Sequence, residues 1–342
     1  MPFLPGDLYT DIPMTRAAVA GMQKPSNFVA PFAFPRMRVD KPSGTYYKWL
    51  LADLNRNEMA ARGNYSPSPV ANFGKTTANY SVPTESLAYD LNDVARKASD
   101  APVDPSKVIP RVLLYKALIR FEAMIGDMMQ TAGGVWYRKI TGAAADAVTA
   151  GATSDRKRWS DTSADPIAQV VQEIEFQSLL TGFEPNAMIF GRKAWTTFRT
   201  HPVVLATLTG TTGQIRNKPA TLAEVAGILE LSWVGVSRAI YNTAKQGASA
   251  SNARLVPEDN ALLYYRGEAA GDDPGEWADE MPIAGASQVW EAGAGNMEGL
   301  RIRTFRDEKA GPGGSDHSEI DTFRTMSAVT SEMGTLFTDV TA

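Results

Sequence analysis

The chain has 342 residues, with 34 Lys and Arg against 38 Asp and Glu for a formal charge of -4, no cysteine, and two histidines, His201 and His317. That length suggests about two domains with a sizeable core, while the missing cysteines exclude disulfides and thiolate metal sites and two histidines exclude a His-rich one. With 44% hydrophobic and 21% charged residues the composition is globular, and the acidic total argues against strong nucleic-acid affinity.

No apolar run approaches the roughly 20 residues of a membrane span, and MPFLPGDLYTD lacks the basic-then-apolar order of a signal peptide. A soluble chain made inside the cell is expected. Pro2, Pro5, Pro13, Pro25, Pro31 and Pro35 forbid a long helix at the start. The spacing predicts an extended arm whose Phe28, Val29, Phe32 and Phe34 lie on another surface. Two alternating segments follow, Thr45 to Leu51 and Lys75 to Val82, and read as two strands. The long connection between them carries Arg56, Arg62 and the Ser66-Pro67-Ser68-Pro69 turn cluster. It makes the pair a long projecting hairpin.

Asp104 and Pro105 form an N-cap and first-turn pair, Pro110 offers a second start, and Gly133-Gly134 is a stop. Leu114, Leu118, Phe121, Ile125 and Met128 recur at spacings of four and three, predicting one helix of roughly 35–40 Å with Met124, Met128 and Met129 in its core stripe. From Asp165 helices and strands alternate. Asp165-Pro166 opens a helix with Ile167, Val170, Val171 and Ile174 on one face and Gly182 as its stop. A buried strand NAMIFG follows, then helices over 192–201 and 221–231, the second with Thr221 and Glu224 at capping-box spacing, and strands over 233–240 and 261–266. This stretch reads as an independent α/β domain. After a glycine-rich linker at Gly293 and Gly295, strands return at Leu300 to Phe305, Ile320 to Val329 and Gly334 to Val340, with the long helix as the apolar surface available to them.

Charge is uneven. Residues 1–50 carry six bases against three acids, and residues 257–298 carry ten acids against Arg266 alone. Neither a phosphate loop, a nucleophile elbow nor a zinc-protease motif occurs. His317 is expected in a solvated turn after Gly311-Pro312-Gly313-Gly314, and His201 at a helix C-terminus as a cation suited to the dipole. Asp272, Asp273, Glu276, Asp279 and Glu280 do not match EF-hand spacing. No catalytic, cofactor or metal site is expected. A carboxylate-dependent enzyme using this acidic segment is the reading to be excluded.

The order of arm, hairpin, long helix, α/β unit and returning strands resembles the major capsid proteins of tailed bacteriophages. FPRMRVDKPSGTYYKW through NYSVPTESLAYDLND is similar to that family's arm-to-hairpin region. DPIAQVVQEIEFQSLLTGFEPNAMIFGRKAWTTFRTHPVVL is similar to its helix, strand, helix run, and ELSWVGVSRAIYNTA and GLRIRTFRDE to later strands. The resemblance implies an α+β fold, the capsid shell fold of the Hong Kong phage type shared with encapsulins, and not a jelly roll. Its parts are an N-terminal arm (1–35), an E-loop hairpin (36–83), a peripheral domain with the spine helix (84–164, completed by 299–342) and an axial domain (165–298). It implies a structural protein that self-assembles as pentamers and hexamers into an icosahedral capsid around double-stranded DNA, held by weak non-specific contact. An encapsulin-like compartment for a cargo enzyme is the alternative.

Partners implied are the chain itself, a separate scaffolding protein, a portal and a decoration protein. No membrane is implied, and the location is the virion, assembled in the host bacterial cytoplasm. Inter-subunit contacts are expected at Arg36, Arg38, Tyr47, Trp49, Arg56, Arg62 and Tyr80. The arm is implied to lie along a neighbour's spine helix and hairpin, so a direct bridge from the arm to the acidic segment is not expected. Some members of the family form isopeptide crosslinks, for which Lys41, Lys48 and Lys75 are donors in principle; no crosslink is predicted here.

Overall fold

The computed structural model describes residues 23–49, 53, 55–63, 67–68, 70–71, 74–98, 105–130, 134–144, 155–209, 218–267, 269–270, 273–277, 282–296, 298–309 and 313–341. The expected arm before Gln23, with Arg16, the cap Asp104 and much of the hairpin's long middle lie outside them. After a 3-10 turn (Pro25–Asn27), α1 (Ala30–Ala33) leads into β1 (Arg36–Val39), β2 (Ser43–Trp49), β3 (Lys75–Ser81) and β4 (Glu85–Asn92). Then come α2 (Asp93–Ala98), α3 (Pro105–Met128), β5 (Arg138–Ala143), β6 (Asp155–Lys157) and α4 (Pro166–Thr181). β7 (Ala187–Phe190), α5 (Arg192–Thr200), α6 (Pro202–Thr209), α7 (Leu222–Ile228), β8 (Trp233–Val236), β9 (Ile240–Asn242), β10 (Asn252–Arg254) and β11 (Ala261–Tyr264) follow. The chain ends with β12 (Ala269–Ala270), β13 (Asp273–Trp277), β14 (Gly285–Trp290), α8 (Glu291–Ala294), β15 (Leu300–Asp307), β16 (Ser315–Thr322), β17 (Arg324–Ala328) and β18 (Gly334–Thr338).

The long helix is α3, 24 residues and thus about 36 Å. Its buried stripe is Ile109, Leu113, Ala117, Phe121, Met124, Ile125 and Met128. The expected stripe was right in its second half and one residue out in its first, because Leu113 packs against β16 while Leu114 is exposed. Met124, Met128 and Met129 are core residues, as the spacing predicts.

A six-stranded sheet has the order β6-β5-β18-β11-β7-β8, and its central strands β18, β11 and β7 are buried on both faces. Ala187, Ile189, Leu262, Tyr264 and Leu336 point into one core with α3, while Met188, Phe190, Ala261, Leu263 and Phe337 point into the other under α4 to α7. Burial on both sides explains why NAMIFG reads as an unbroken apolar run. The C-terminal β18 sits in the middle of this sheet, antiparallel to β11 and parallel to β5. The stretch from Asp165 is therefore not independent: its sheet is completed by strands from both sides of it in sequence. The returning strands split between two destinations, β16 and β17 packing on α3 and β18 entering the six-stranded sheet, where its Leu336 still faces the α3 core.

Helix α4 starts and stops as predicted, with Asp165 accepting from the Ala168 N–H at 3.0 Å and Gly182 at φ 79°. Of its predicted face, Val170 is buried and Ile167 and Ile174 pack against the same core, but most of the fully buried positions are polar. Gln169, Val170, Glu173, Gln177 and Thr181 face inward and Val171 faces out. The sheet beneath presents polar groups: Arg138 donates to Glu173 at 2.8 and 3.0 Å, Gln177 reaches Thr335 at 2.5 Å, and Trp159 Nε1 donates to Gln169 at 3.0 Å. A charged hydrogen-bonded pair is acceptable inside when each partner is satisfied, and it defeats an apolar periodicity reading.

A second sheet, β12-β13-β1-β14-β17, holds β1 parallel to β14 with Arg36 opposite Ser287 and Val39 opposite Trp290. Arg36–Val39 was expected in the hairpin; it is a sheet strand, and the two-stranded ribbon begins at Ser43. A third sheet, β15-β16-β4, rests on α3 through Ile320 and Leu91. His317 lies within β16 opposite Phe305 and Asp90, not in a solvated turn. The glycine-rich linker contains one helical turn, α8, closed by Gly295 at φ 76°.

Candidate assembly surfaces

The described part of the arm does not await a neighbour. Phe28, Val29, Ala30, Ala33 and Phe34 are buried in the chain's own core, and of the four apolar side chains expected on another surface only Phe32 faces out. Phe34 stacks on Tyr264, whose hydroxyl donates to the Ala33 carbonyl. The anchor is Glu122 on α3, fully buried. Its Oε2 accepts the Val29 and Ala30 N–H groups, each at 2.9 Å, and its Oε1 accepts the Ser237 hydroxyl at 2.5 Å. The carboxylate thus caps α1, satisfying donors that a one-turn helix leaves open. Burial pushes its pKa above the ordinary value, while the bonds from Ser237, Ala30 and Val29 pull the other way. Sequence reading passed over Glu122; the available signal was a carboxylate set between Phe121, Met124 and Ile125 on the buried side of a long helix.

The seven expected contact residues fall into two groups. Arg36 and Arg38 lie on β1, where Arg36 Nη1 meets Glu298 at 2.5 Å and Arg38 pairs with Glu291. Both acids belong to the acidic segment, so a bridge from the root of the arm to that segment does form, within one chain. The parallel pairing of β1 with β14 brings them together, and no sequence separation would have revealed it.

The other five lie on or between β2 and β3, whose register runs from Ser43 opposite Ser81 to Trp49 opposite Lys75. Tyr47 is 64% exposed with the Lys75 ammonium 4.3 Å from its ring centre. The Tyr80 ring covers Gly44, where a Cβ would come within 2.9 Å of it. Arg56 pairs with Asp53 at 3.0 Å and Glu58 at 3.3 Å, and Arg62 donates to Ser68 at 2.9 Å. Lys41, Lys48 and Lys75 are on or beside this ribbon as well, which among the described residues pairs with no other strand.

On the third sheet Arg303 pairs with Glu319 and Asp321, Arg301 with Asp321, and Arg306 with Asp93 and Asp316. His317 Nδ1 contacts Asp90, with Glu319 3.5 Å from Nε2. The Asp90 bond, and then the charges of Asp90 and Glu319, hold the His317 pKa above its ordinary value. His201 ends α5 as expected, yet it is buried, with its Nδ1 accepting the Val203 N–H at 3.3 Å. An open groove of about 350 Å³ runs along α3 between Lys116, Arg120, Asp127, Gln130, Tyr241 and Leu255. Among the described residues, no helix is long and apolar enough to cross a membrane and no group of three or more acids and histidines is placed to hold a metal.

Residues 118–275 match the family model described as phage major capsid protein E. The major capsid protein of Pseudomonas phage JBD67 is 24% identical over 162 residues, 46% of this chain and 49% of that protein, so the match spans about half of the curated relative. In structure the chain is similar to a phage-related protein of Bordetella bronchiseptica RB50, with TM-score 0.63 at 17% identity over 96% of this chain and 97% of the other. It is also similar to the capsid protein of cyanophage P-SCSP1u, with TM-score 0.53 at 10% identity over 99% and 92%. The fold is α+β and is the shell fold of tailed-phage capsid proteins. The resemblance to their major capsid proteins drawn from the sequence holds.

Proposed function

We propose that the chain is the structural subunit of a phage capsid, assembling as pentamers and hexamers into an icosahedral shell around double-stranded DNA. The observation that carries this is the β2–β3 ribbon. It is an isolated pair of strands with exposed aromatic and basic side chains, on a fold otherwise rich in buried core. An isolated hairpin is marginal in water, so its order calls for a surface supplied by another copy. On this reading Tyr47, Trp49, Arg56, Arg62 and Tyr80 contact the neighbour. Arg36 and Arg38 do so through whatever their pairing with Glu298 and Glu291 leaves exposed, Arg38 more than Arg36. The division into arm, E-loop, peripheral and axial parts carries over with β18 shared between the last two.

The subunit acts in the virion after assembly in the host cytoplasm, with a separate scaffolding protein, a portal and a decoration protein as partners, and no catalytic step. Electron microscopy of the purified chain tests it. Closed shells of uniform diameter, with nucleic acid inside particles made during infection, are the expected result. A small oligomer at every concentration and salt would overturn the reading, and shells filled with a protein cargo would turn it toward a compartment.

A further inference from the structure

The third sheet ends in two open edges, β15 on one side and β4 on the other, since neither strand has a second neighbour among the described residues. The two edges differ. β15 is guarded: Arg301, Arg303 and Arg306 stand along it, and the Asn296 side chain takes up both the N–H and the carbonyl of Leu300, at 3.4 and 2.8 Å. Charges and local caps of this kind keep sheet edges from pairing. β4 has no such guard. Its middle, Ser86-Leu87-Ala88-Tyr89, carries no charge and no proline, and the eight-residue register on β16 is free of bulges. Leu87 and Tyr89 are 46% and 54% exposed. The acids flanking them are already matched, Glu85 with Arg120 and Asp90 with His317.

The ladder fixes which backbone groups face outward. The Phe323 N–H donates to the Gly299 carbonyl, and the Asp93 N–H to the Gly314 carbonyl. Hydrogen-bonded pairs alternate along an antiparallel ladder, so the odd-numbered residues of β16 bond to β15 and the even-numbered ones to β4. Glu85, Leu87, Tyr89 and Leu91 therefore direct their backbone groups at β16, while Ser86, Ala88 and Asp90 point theirs away from the sheet. Among the described residues none of these three has a backbone partner on that side. Side chains alternate with the same period, which puts Leu87 and Tyr89 on the face that carries α3, with Leu91 and Ile320.

We infer that β4 pairs with β4 of a second copy of this chain, antiparallel about a two-fold axis through Ala88. With Ala88 opposite Ala88, the outward groups of Ser86 meet those of Asp90 in phase for hydrogen bonding. Leu87 of each chain then stands opposite Tyr89 of the other in the closer, non-hydrogen-bonded pairs. No other in-phase register sets these two exposed side chains against each other. The strands of both copies run on as one sheet, β15-β16-β4-β4-β16-β15, with both α3 helices on the same face. The contact is isologous, whereas a pentamer or hexamer is built from head-to-tail contacts. Within a shell it joins subunits of neighbouring rings; that placement rests on the shell reading above, and the pairing itself does not.

Introduced cysteines test it in a chain that has none of its own. Leu87→Cys and Tyr89→Cys chains are mixed before assembly and oxidised at the highest concentration at which they stay soluble. The mixture is expected to give at least about tenfold more disulfide-linked dimer than either chain alone, because only position 87 and position 89 of the partner face directly across the axis. Ala88→Lys sets two ammonium groups opposite each other without touching a bond to β16. It is expected to raise the concentration needed for shell formation at least about tenfold while the free subunit melts as before. A mixture that crosslinks no better than the single chains, or shells forming normally from the lysine variant, would overturn the inference and leave the shell reading intact. Tyr89→Cys or Leu87→Cys crosslinking to itself as readily as in the mixture would overturn the register through Ala88. Crosslinked dimers from a chain that never builds shells would keep the pairing and remove the shell reading.

Discussion

Replacing Glu122 separates charge from hydrogen bonding at the root of the arm. Glu122→Ala leaves the buried Val29 and Ala30 N–H groups without an acceptor. At about 1–3 kcal/mol for each orphaned donor the loss is about 2–6 kcal/mol. For a chain of this size that lowers the melting temperature by at least about 4 °C, at roughly 2–4 °C per kcal/mol. Glu122→Gln can keep every contact, its carbonyl oxygen accepting the two N–H groups and its amide donating to the Ser237 hydroxyl.

The pH dependence has a defined sign. Burial raises the folded-state pKa of Glu122 above 4.5, so the folded state holds the proton more tightly than the unfolded one. The stability this contributes is complete below the unfolded pKa and is lost as pH rises through the folded value. The glutamine variant does not titrate, so its melting temperature relative to the original should rise between pH 4 and pH 7. Thermal unfolding of the free subunit by circular dichroism across that range measures both effects. An alanine variant that melts with the original, or a glutamine variant that loses as much as alanine, would refute the capping role.

Gly126→Ala should cost about 1–3 kcal/mol in chemical denaturation, because a Cβ there would lie 2.2 Å from the Leu255 carbonyl oxygen where that segment crosses α3. His317→Asn should melt below the original at pH 5.5 and approach it by pH 8.5. The raised histidine pKa contributes stability that is present below its unfolded value and lost as pH rises through the folded one, and a constant gap across that range would contradict the ion pairing with Asp90. Amide hydrogens of β2 and β3 should exchange quickly in the free subunit and slowly in shells by mass spectrometry. Equal protection in both states would mean the ribbon is held by its own chain. Arg38→Ala should leave the free subunit's melting temperature unchanged, since its pair with Glu291 is largely solvated, whereas Arg36→Ala should lower stability by about 0.5–1 kcal/mol.

Elements whose cause is local could be read before folding. The 24-residue α3, the Asp165 cap and Gly182 stop of α4, the capping box of Thr221 and Glu224, and the β2 and β3 alternation each depend on residues within one or two turns of one another. The shell fold was legible because their order along the chain is itself a pattern. What the sequence alone left undecided was every pairing between distant segments. The insertion of β18 between β5 and β11, the burial of the arm's root against Glu122, and the pairing of Arg36 and Arg38 with Glu298 and Glu291 join residues 70 to 262 positions apart. Composition records that a basic start and an acidic stretch exist; only the parallel register of β1 on β14 decides which of those charges neutralise each other inside the chain. The polar face of α4 failed for the same reason. A helix buries whatever face its partner can satisfy, and that partner, Arg138 and Thr335 on two separate strands, is assembled only by the tertiary fold.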